Sequence, residues 1–263
     1  MSEFGLDVER GEDRVAWITV RNPKRLNAIR LEMWRAIPEL IATLASDPSV
    51  NVCVIRGAGT AAFASGADIS EFESVRKDAA SAAEYEAVTT TAFDALLGLE
   101  KPLIAMIRGA CIGGGLAVAT CADVRLASTD AQFALPAARL GLGYHASGVR
   151  RLVDLVGPGM TAEIFFAALQ YDADEALRMG LVTRVLPAGD IEGFTRAYAG
   201  AMAANAPLTQ QAAKLAIADA LADPADRDGA AVERRVAACF ASEDYAEGIR
   251  AFLTKRRPKF QGK

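Results

Sequence analysis

The sequence predicts an α/β fold, with an amino-terminal α/β body over residues 1–200 and a helical region over 201–263. Three observations lead there. Apolar strand-like segments alternate with helically spaced ones through the first half. Glycine-rich turns follow two of those strands and open toward helices. After roughly Pro136 the strand signal fades and helical spacing takes over. A chain of 263 residues can bury a large core without a disulfide or metal staple.

Val15–Arg21 alternates like a strand and is closed by Asn22 and Pro23. Leu31–Ala45 has apolar residues at helical spacing and stops at Asp47-Pro48. Val50–Arg56 is a second strand, ended by Gly57 and Gly59. Ala79–Leu99 is alanine-rich and helical, ending before Lys101-Pro102. Leu103–Arg108 is a third strand, and Gly113–Cys121 a buried helix opened by glycine. Asp123–Ala127 and Gln132–Leu135 are further short strands. Met160–Ala168, Asp174–Met179, Ile191–Ala204, Leu208–Ala222 and Arg227–Phe240 have helical spacing.

Composition narrows the function classes. The apolar runs are too short to span a bilayer. A net charge of -4 argues against a general nucleic-acid binder. The start, MSEFGLDVERGEDR, lacks the apolar stretch of a signal peptide, and Cys53, Cys111, Cys121 and Cys239 form no CxxC. Reduced thiols and a cytoplasmic location are therefore expected. His145 is the sole histidine, so a His-rich zinc site is excluded and no metal is expected. Any Ser-His-Asp arrangement would have to pass through it.

Two stretches carry the chemistry. In Ala62–Phe72 (AFASGADISEF), small residues follow a strand and allow a ligand to approach the backbone closely. In Gly109–Gly115 (GACIGGG), glycines at a helix start leave N–H groups pointing outward, suited to an anion or a developing oxyanion. Neither is a GxGxxG with an acidic ribose ligand, and no GKS or GKT follows.

Together with RNPKRLNA (Arg21–Ala28), Ala131–Leu152, Ala173–Val185 and Ser242–Phe260, these stretches resemble the crotonase superfamily, the enoyl-CoA hydratase/isomerase family, almost end to end. The resemblance implies a spiral of ββα units with a helical carboxy-terminal trimerisation region. It implies a homotrimer or hexamer, an acyl-CoA thioester as substrate, and no cofactor beyond the coenzyme A that the substrate carries. It implies an oxyanion hole from the backbone N–H groups of Ala67 and Gly114. By position, Lys24, Arg25, Leu26 and Ala28 would lie along coenzyme A. Ala64, Asp68 and Ile69 would line its path, and Phe252 and Lys255 would reach it from the carboxy-terminal end, often from a neighbouring subunit.

The chain departs from the family where proton transfer is concerned. The two glutamates that handle water in hydratases fall on Ala117 and on Ala137, the latter following Pro136. Alanine cannot transfer a proton. Tyr144 and His145 lie in the loop that lines the acyl pocket in this family, and some members place a catalytic acid at the position of His145. Asp68, Glu71 and Glu73 are the nearest remaining carboxylates in sequence, and they reach the pocket only if the following helix folds over it. An enzyme of acyl-CoA metabolism is the leading expectation. A non-catalytic acyl-CoA-binding protein, or an isomerase or decarboxylase using His145 or Tyr144, is the alternative.

Overall fold

The computed structural model describes residues 3–144 and 146–263. In chain order the elements are β1 (Gly5–Arg10), β2 (Val15–Arg21), α1 (Leu31–Ser46), β3 (Val52–Gly57), β4 (Ala62–Ala64), α2 (Phe72–Val75), α3 (Ala79–Leu97), β5 (Leu103–Ile107), β6 (Ala110–Ile112) and α4 (Gly114–Thr120). They continue with β7 (Val124–Ser128), β8 (Gln132–Ala134), α5 (Ala137–Leu140), α6 (Ala146–Ala167), β9 (Gln170–Asp172), α7 (Ala173–Arg178), β10 (Arg184–Leu186), α8 (Ile191–Ala203), α9 (Pro207–Leu221), α10 (Gly229–Ala241) and α11 (Glu243–Leu253).

The strands form two sheets. The larger runs β1-β2-β3-β5-β7-β10, with the β1–β2 pair antiparallel and the other pairs parallel. The smaller runs β4-β6-β8-β9, with only β8–β9 antiparallel. A strand of the large sheet is followed by one of the small sheet and then by a helix: β3-β4-α3, β5-β6-α4, β7-β8-α5. Each ββα unit advances both sheets by one strand, which generates the spiral. No described helix is long and apolar enough to cross a membrane.

Alternation within the strands explains why the large sheet lies inside. On β3, Cys53 and Ile55 join the main core, while Val52 and Val54 face a second cluster with Ile191, Ala199 and Ala203 of α8. On β5, Leu103, Ala105 and Ile107 take the first side and Ile104 and Met106 the second. Strands buried on both faces read as continuous apolar runs, which is how VCVIR and LIAMI read. Phe63, Cys111 and Phe133, on three successive strands of the small sheet, are fully buried in the main core. Burial raises the thiol pKa of Cys53 to about 11 and of Cys121 to about 12, so both stay protonated and inert near neutrality.

The differences from expectation have physical causes. β4, β6, β9 and β10 have three residues each, too few for alternation to register in sequence. β9 and β10 also show that strands continue past Pro136. β1 (GLDVER) is a polar edge strand. The helical segment expected from Met160 begins at Ala146; Gly157, at φ +77°, and Pro158 break it and hide its first half from a periodicity reading. α11 was not anticipated; the Ser242 hydroxyl caps it by accepting from Tyr245 N–H at 3.0 Å. On α9–α11, Ile217, Phe240, Phe252 and Leu253 are 62–84% exposed in the single chain.

Candidate active site

One side of the site is the turn after β4, pinned by the chain's early segment. Ser65 N–H donates to Leu26 O at 3.0 Å and Ser65 Oγ to Arg25 O at 2.9 Å. Ile29 N–H donates to Gly66 O at 2.7 Å, and Asp68 N–H to Ile29 O at 3.1 Å. Leu26 and Asn27 take left-handed backbone (φ +50° and +57°), and the buried Asn27 amide donates to Ala58 O and Ala62 O. Asparagine tolerates that conformation better than most residues. The register uses Gly66 O and Asp68 N–H and skips Ala67 N–H.

The other side is the start of α4. Gly113, at φ +53°, donates its N–H to Ala134 O and accepts from Ala117 N–H. Gly114 is the first residue of the helix, where N–H groups have no partner within the helix. A methyl group on Gly114 would lie 3.4 Å from Ala67 N and 3.2 Å from Trp34 Cζ2; one on Gly66 would lie 3.5 Å from Gly114 N. The two amides are therefore neighbours, and among the described residues neither has a protein acceptor. Gly115 makes this approach possible, since a methyl there would sit 2.2 Å from Ala64 O.

Both amides open into a cavity of about 200 Å³. Its covering wall is α2 and α3, with Phe72, Tyr85, Thr89 and Phe93, and beside them stands Trp34 of α1. Its far wall is Pro136, Ala137, Leu140 and Tyr144. Tyr144 packs edge-on against Phe165 at 5.0 Å and is 38% exposed overall. Burial around its phenol end raises the pKa to about 12, against the opposing pull of Arg76. A smaller cavity of about 70 Å³ adjoins, bounded by Tyr144, Phe93, Leu135, Ala117 and Arg151.

Of the residues expected from sequence, Ala67, Gly114, Ile69, Pro136, Ala137 and Tyr144 line the main cavity. Ala117 borders the smaller one instead. Ala64 and Ala28 are buried behind the turn. Lys24, paired with Glu3, Arg25 and Leu26 are exposed at the surface of the early segment. Phe252 lines a separate apolar groove with α9 and α10, and neither it nor Lys255 lines the cavity of its own chain. His145 lies outside the described residues.

Asp68 and Glu71 are engaged outside the cavity. Asp68 accepts from Ser70 N–H and Oγ at 3.1 and 2.6 Å, organising its own turn. Glu71 pairs with Arg30 and accepts Leu31 N–H at 2.9 Å, capping α1 from across the fold. The Glu73 side chain lies outside the described part. α3 does cover the cavity, and it brings Glu86, which sequence reasoning missed together with Trp34, Arg76 and Tyr85. The available signal was the one-turn spacing of Tyr85 and Thr89 in an otherwise alanine-rich helix. Among the described residues no cluster suited to a metal ion occurs.

Residues 10–263 match the family described as Enoyl-CoA hydratase/isomerase. The chain is 32% identical to the crotonyl-CoA hydratase of Syntrophomonas wolfei over 252 residues, covering 96% of each. It is 33% identical to the short-chain-enoyl-CoA hydratase of Clostridium acetobutylicum over 246 residues, covering 94% of each. Its fold is similar to the crystal structure of an enoyl-CoA hydratase/carnithine racemase from Magnetospirillum magneticum, with a TM-score of 0.92, 35% identity and coverage of 100% and 97%. A structure from Hyphomonas neptunium, a putative enoyl-CoA hydratase/isomerase family protein, gives 0.90, 37% identity and 97% coverage of both chains. With two unpaired amides converging on a covered cavity and near full-length likeness in sequence and fold, the chain belongs to the enoyl-CoA hydratase/isomerase family of the crotonase superfamily.

Proposed function

We propose that the chain is an enzyme that binds an acyl-CoA thioester in the cavity and stabilises its enolate. The reading rests on one observation, the adjacency of the Ala67 and Gly114 amides with no protein acceptor between them. As a proton leaves the carbon next to the thioester carbonyl, charge moves to the carbonyl oxygen, and two fixed donors favour that charged state. One such donor is typically worth about 2.7–4 kcal/mol of barrier.

The two-carboxylate hydration machinery is missing at Ala117 and Ala137, so proton transfer falls to other groups. His145 has the chemistry for it, since imidazole titrates near neutrality. Tyr144, held neutral by burial, is an O–H donor at the cavity wall. The absence of both glutamates also favours a second reading, an acyl-CoA-binding protein without turnover. Lys24, Arg25, Leu26 and Ala28 would then serve the coenzyme A moiety in either case. Phe252 and Lys255 would do so from a neighbouring subunit of a homotrimer or hexamer, consistent with the exposed apolar side chains of α9–α11.

Gly114→Pro deletes one donor. Removal of an oxyanion donor should lower turnover by about 10²–10³-fold, with circular dichroism confirming the fold. Gly114→Ala, whose methyl would press on Trp34 Cζ2 at 3.2 Å, should weaken binding of a non-hydrolysable acyl-CoA measured by calorimetry. Unchanged turnover and affinity in both folded variants would overturn the oxyanion assignment.

Crotonyl-CoA hydration should be slower than in a two-glutamate hydratase by at least about 10²–10⁴-fold, the worth of a positioned acid or base. Loss of the enoyl-thioester absorbance follows it. Turnover in the hundreds per second, roughly the upper part of the usual range, would show that other groups handle the water.

His145→Gln should cost at least about tenfold on whichever thioester a mass-spectrometric screen finds to be converted. If His145 acts as a base, the wild-type rate rises with pH through its pKa; if it acts as an acid, the rate falls. A variant with full activity and the same pH profile would make His145 structural. Conversion of none of the enoyl, dienoyl, malonyl-type and aryl thioesters would favour the binding protein.

Light scattering at micromolar concentration should report a trimer or hexamer, because symmetric contacts can bury apolar helix faces. A monomer would count against the assembly.

A further inference from the structure

Arg76 is a cation that the chemistry above does not use. It ends α2, and its guanidinium lies over the Phe72 ring at 4.7 Å and the Tyr85 ring at 4.2 Å. Those rings meet edge-to-face at 6.1 Å, and the guanidinium lies against both. Cation–π contact supplies no hydrogen-bond acceptor for its N–H groups. Its Nε is buried without a hydrogen-bond partner.

Two further polar atoms beside it share that condition. Tyr85 is 3% exposed and Trp34 1% exposed, yet neither the Tyr85 hydroxyl nor Trp34 Nε1 has a hydrogen-bond partner. The indole N–H lies near enough to the Tyr85 oxygen to lower its pKa but does not reach hydrogen-bond geometry. All three residues line the main cavity. Guanidinium and indole are donors only, and a phenol can donate. Three elements thus present donors and a positive charge to an otherwise largely apolar space. Buried polar groups are normally paired, and a guanidinium matches a carboxylate fork for fork.

Placement fixes where such an anion would sit. The edge of Trp34 that carries Cζ2 and, two bonds on, Nε1 faces both Gly114 and the Tyr85 oxygen. The donor group therefore borders the proposed thioester carbonyl site, within reach of a short acyl chain. We propose that Arg76, the Tyr85 hydroxyl and the Trp34 indole N–H form a recognition site for a carboxylate at the far end of a short acyl chain, so that the preferred ligands are CoA thioesters of dicarboxylic acids. The proposal rests on the acyl-CoA reading of the cavity and adds the substrate class. Glu86 lines the same cavity, but it has a contact of its own. Arg76 is the charge that acts most strongly on both the Tyr85 and Tyr144 hydroxyls, partly offsetting the burial that leaves both pKa values raised to about 12.

Calorimetry with four saturated thioesters tests this. Glutaryl-CoA and adipyl-CoA are compared with 5-methylhexanoyl-CoA and 6-methylheptanoyl-CoA, in which an isopropyl group replaces the carboxylate at equal shape. In the wild-type protein at least one dicarboxylic thioester should bind about tenfold or more tighter than its neutral counterpart, as expected for a charge-assisted pair. In Arg76→Gln that ratio should fall toward one, with Arg76→Lys intermediate and Tyr85→Phe shifting it in the same direction. The wild-type comparison needs no variant to fold. Neutral thioesters that bind as well as the dicarboxylic ones would overturn the inference while leaving the acyl-CoA reading intact. An equal loss for both classes in Arg76→Gln would also overturn it, because Arg76 would then read the phosphates that all four share. Failure of all four to bind would overturn the acyl-CoA reading and this inference together.

Discussion

The site depends on how closely two backbones can approach. The start of α4 lies against the turn after β4 so tightly that a methyl group on Gly115 would overlap Ala64 O. That contact brings Gly114 N–H beside Ala67 N–H. Everything around it serves to hold the approach. The parallel register of β4 and β6 sets the height of the two turns. The bridge between Ile29 and Ala67 stops the first turn from slipping, and Gly113, bonded to Ala134 O, stops the second. Because the donors belong to the main chain, they cost no side-chain entropy to position. The fold itself is the preorganised element.

The cavity in front of this contact is mostly apolar, and that raises the consequence of each polar group left in it. A hydroxyl such as that of Tyr144 stays protonated far above neutrality, so it can only donate or accept hydrogen bonds there. An arginine in the cavity wall, its Nε buried without a partner, is screened less than it would be in water. The same low dielectric that strengthens an oxyanion contact makes an unpaired donor costly. Polar atoms without partners, gathered in one apolar wall, therefore point outward to a ligand rather than inward to the fold.

The two core motifs were legible because they are backbone features, written as glycine and alanine at fixed places after strands. The long strands β2, β3 and β5 were legible for a similar reason, since burial on both faces makes continuous apolar runs. The covering helix was visible as a helix but not as a wall. Tyr85 and Glu86 are adjacent in sequence, and nothing local says that this edge of α3 faces a cavity formed with Trp34, some fifty residues earlier. Glu71 was misleading in the opposite sense. It is near the motif in sequence, yet it is spent on Arg30 and the start of α1. Short strands β4 and β6, which position both amides, carry too few residues for any periodicity to show.

The two alanines do not leave equivalent gaps. Ala137 borders the main cavity, whereas Ala117 borders the smaller one, and Tyr144 stands at the boundary of both. A carboxylate at position 137 would enter the space in front of the amides. One at position 117 would enter a cavity of about 70 Å³ that also holds Arg151, whose Nε is buried without a partner. That cation would hold the carboxylate ionised and draw it from the thioester. Among the described residues, Glu86 is the carboxylate that lines the main cavity, and Tyr144 lines both cavities.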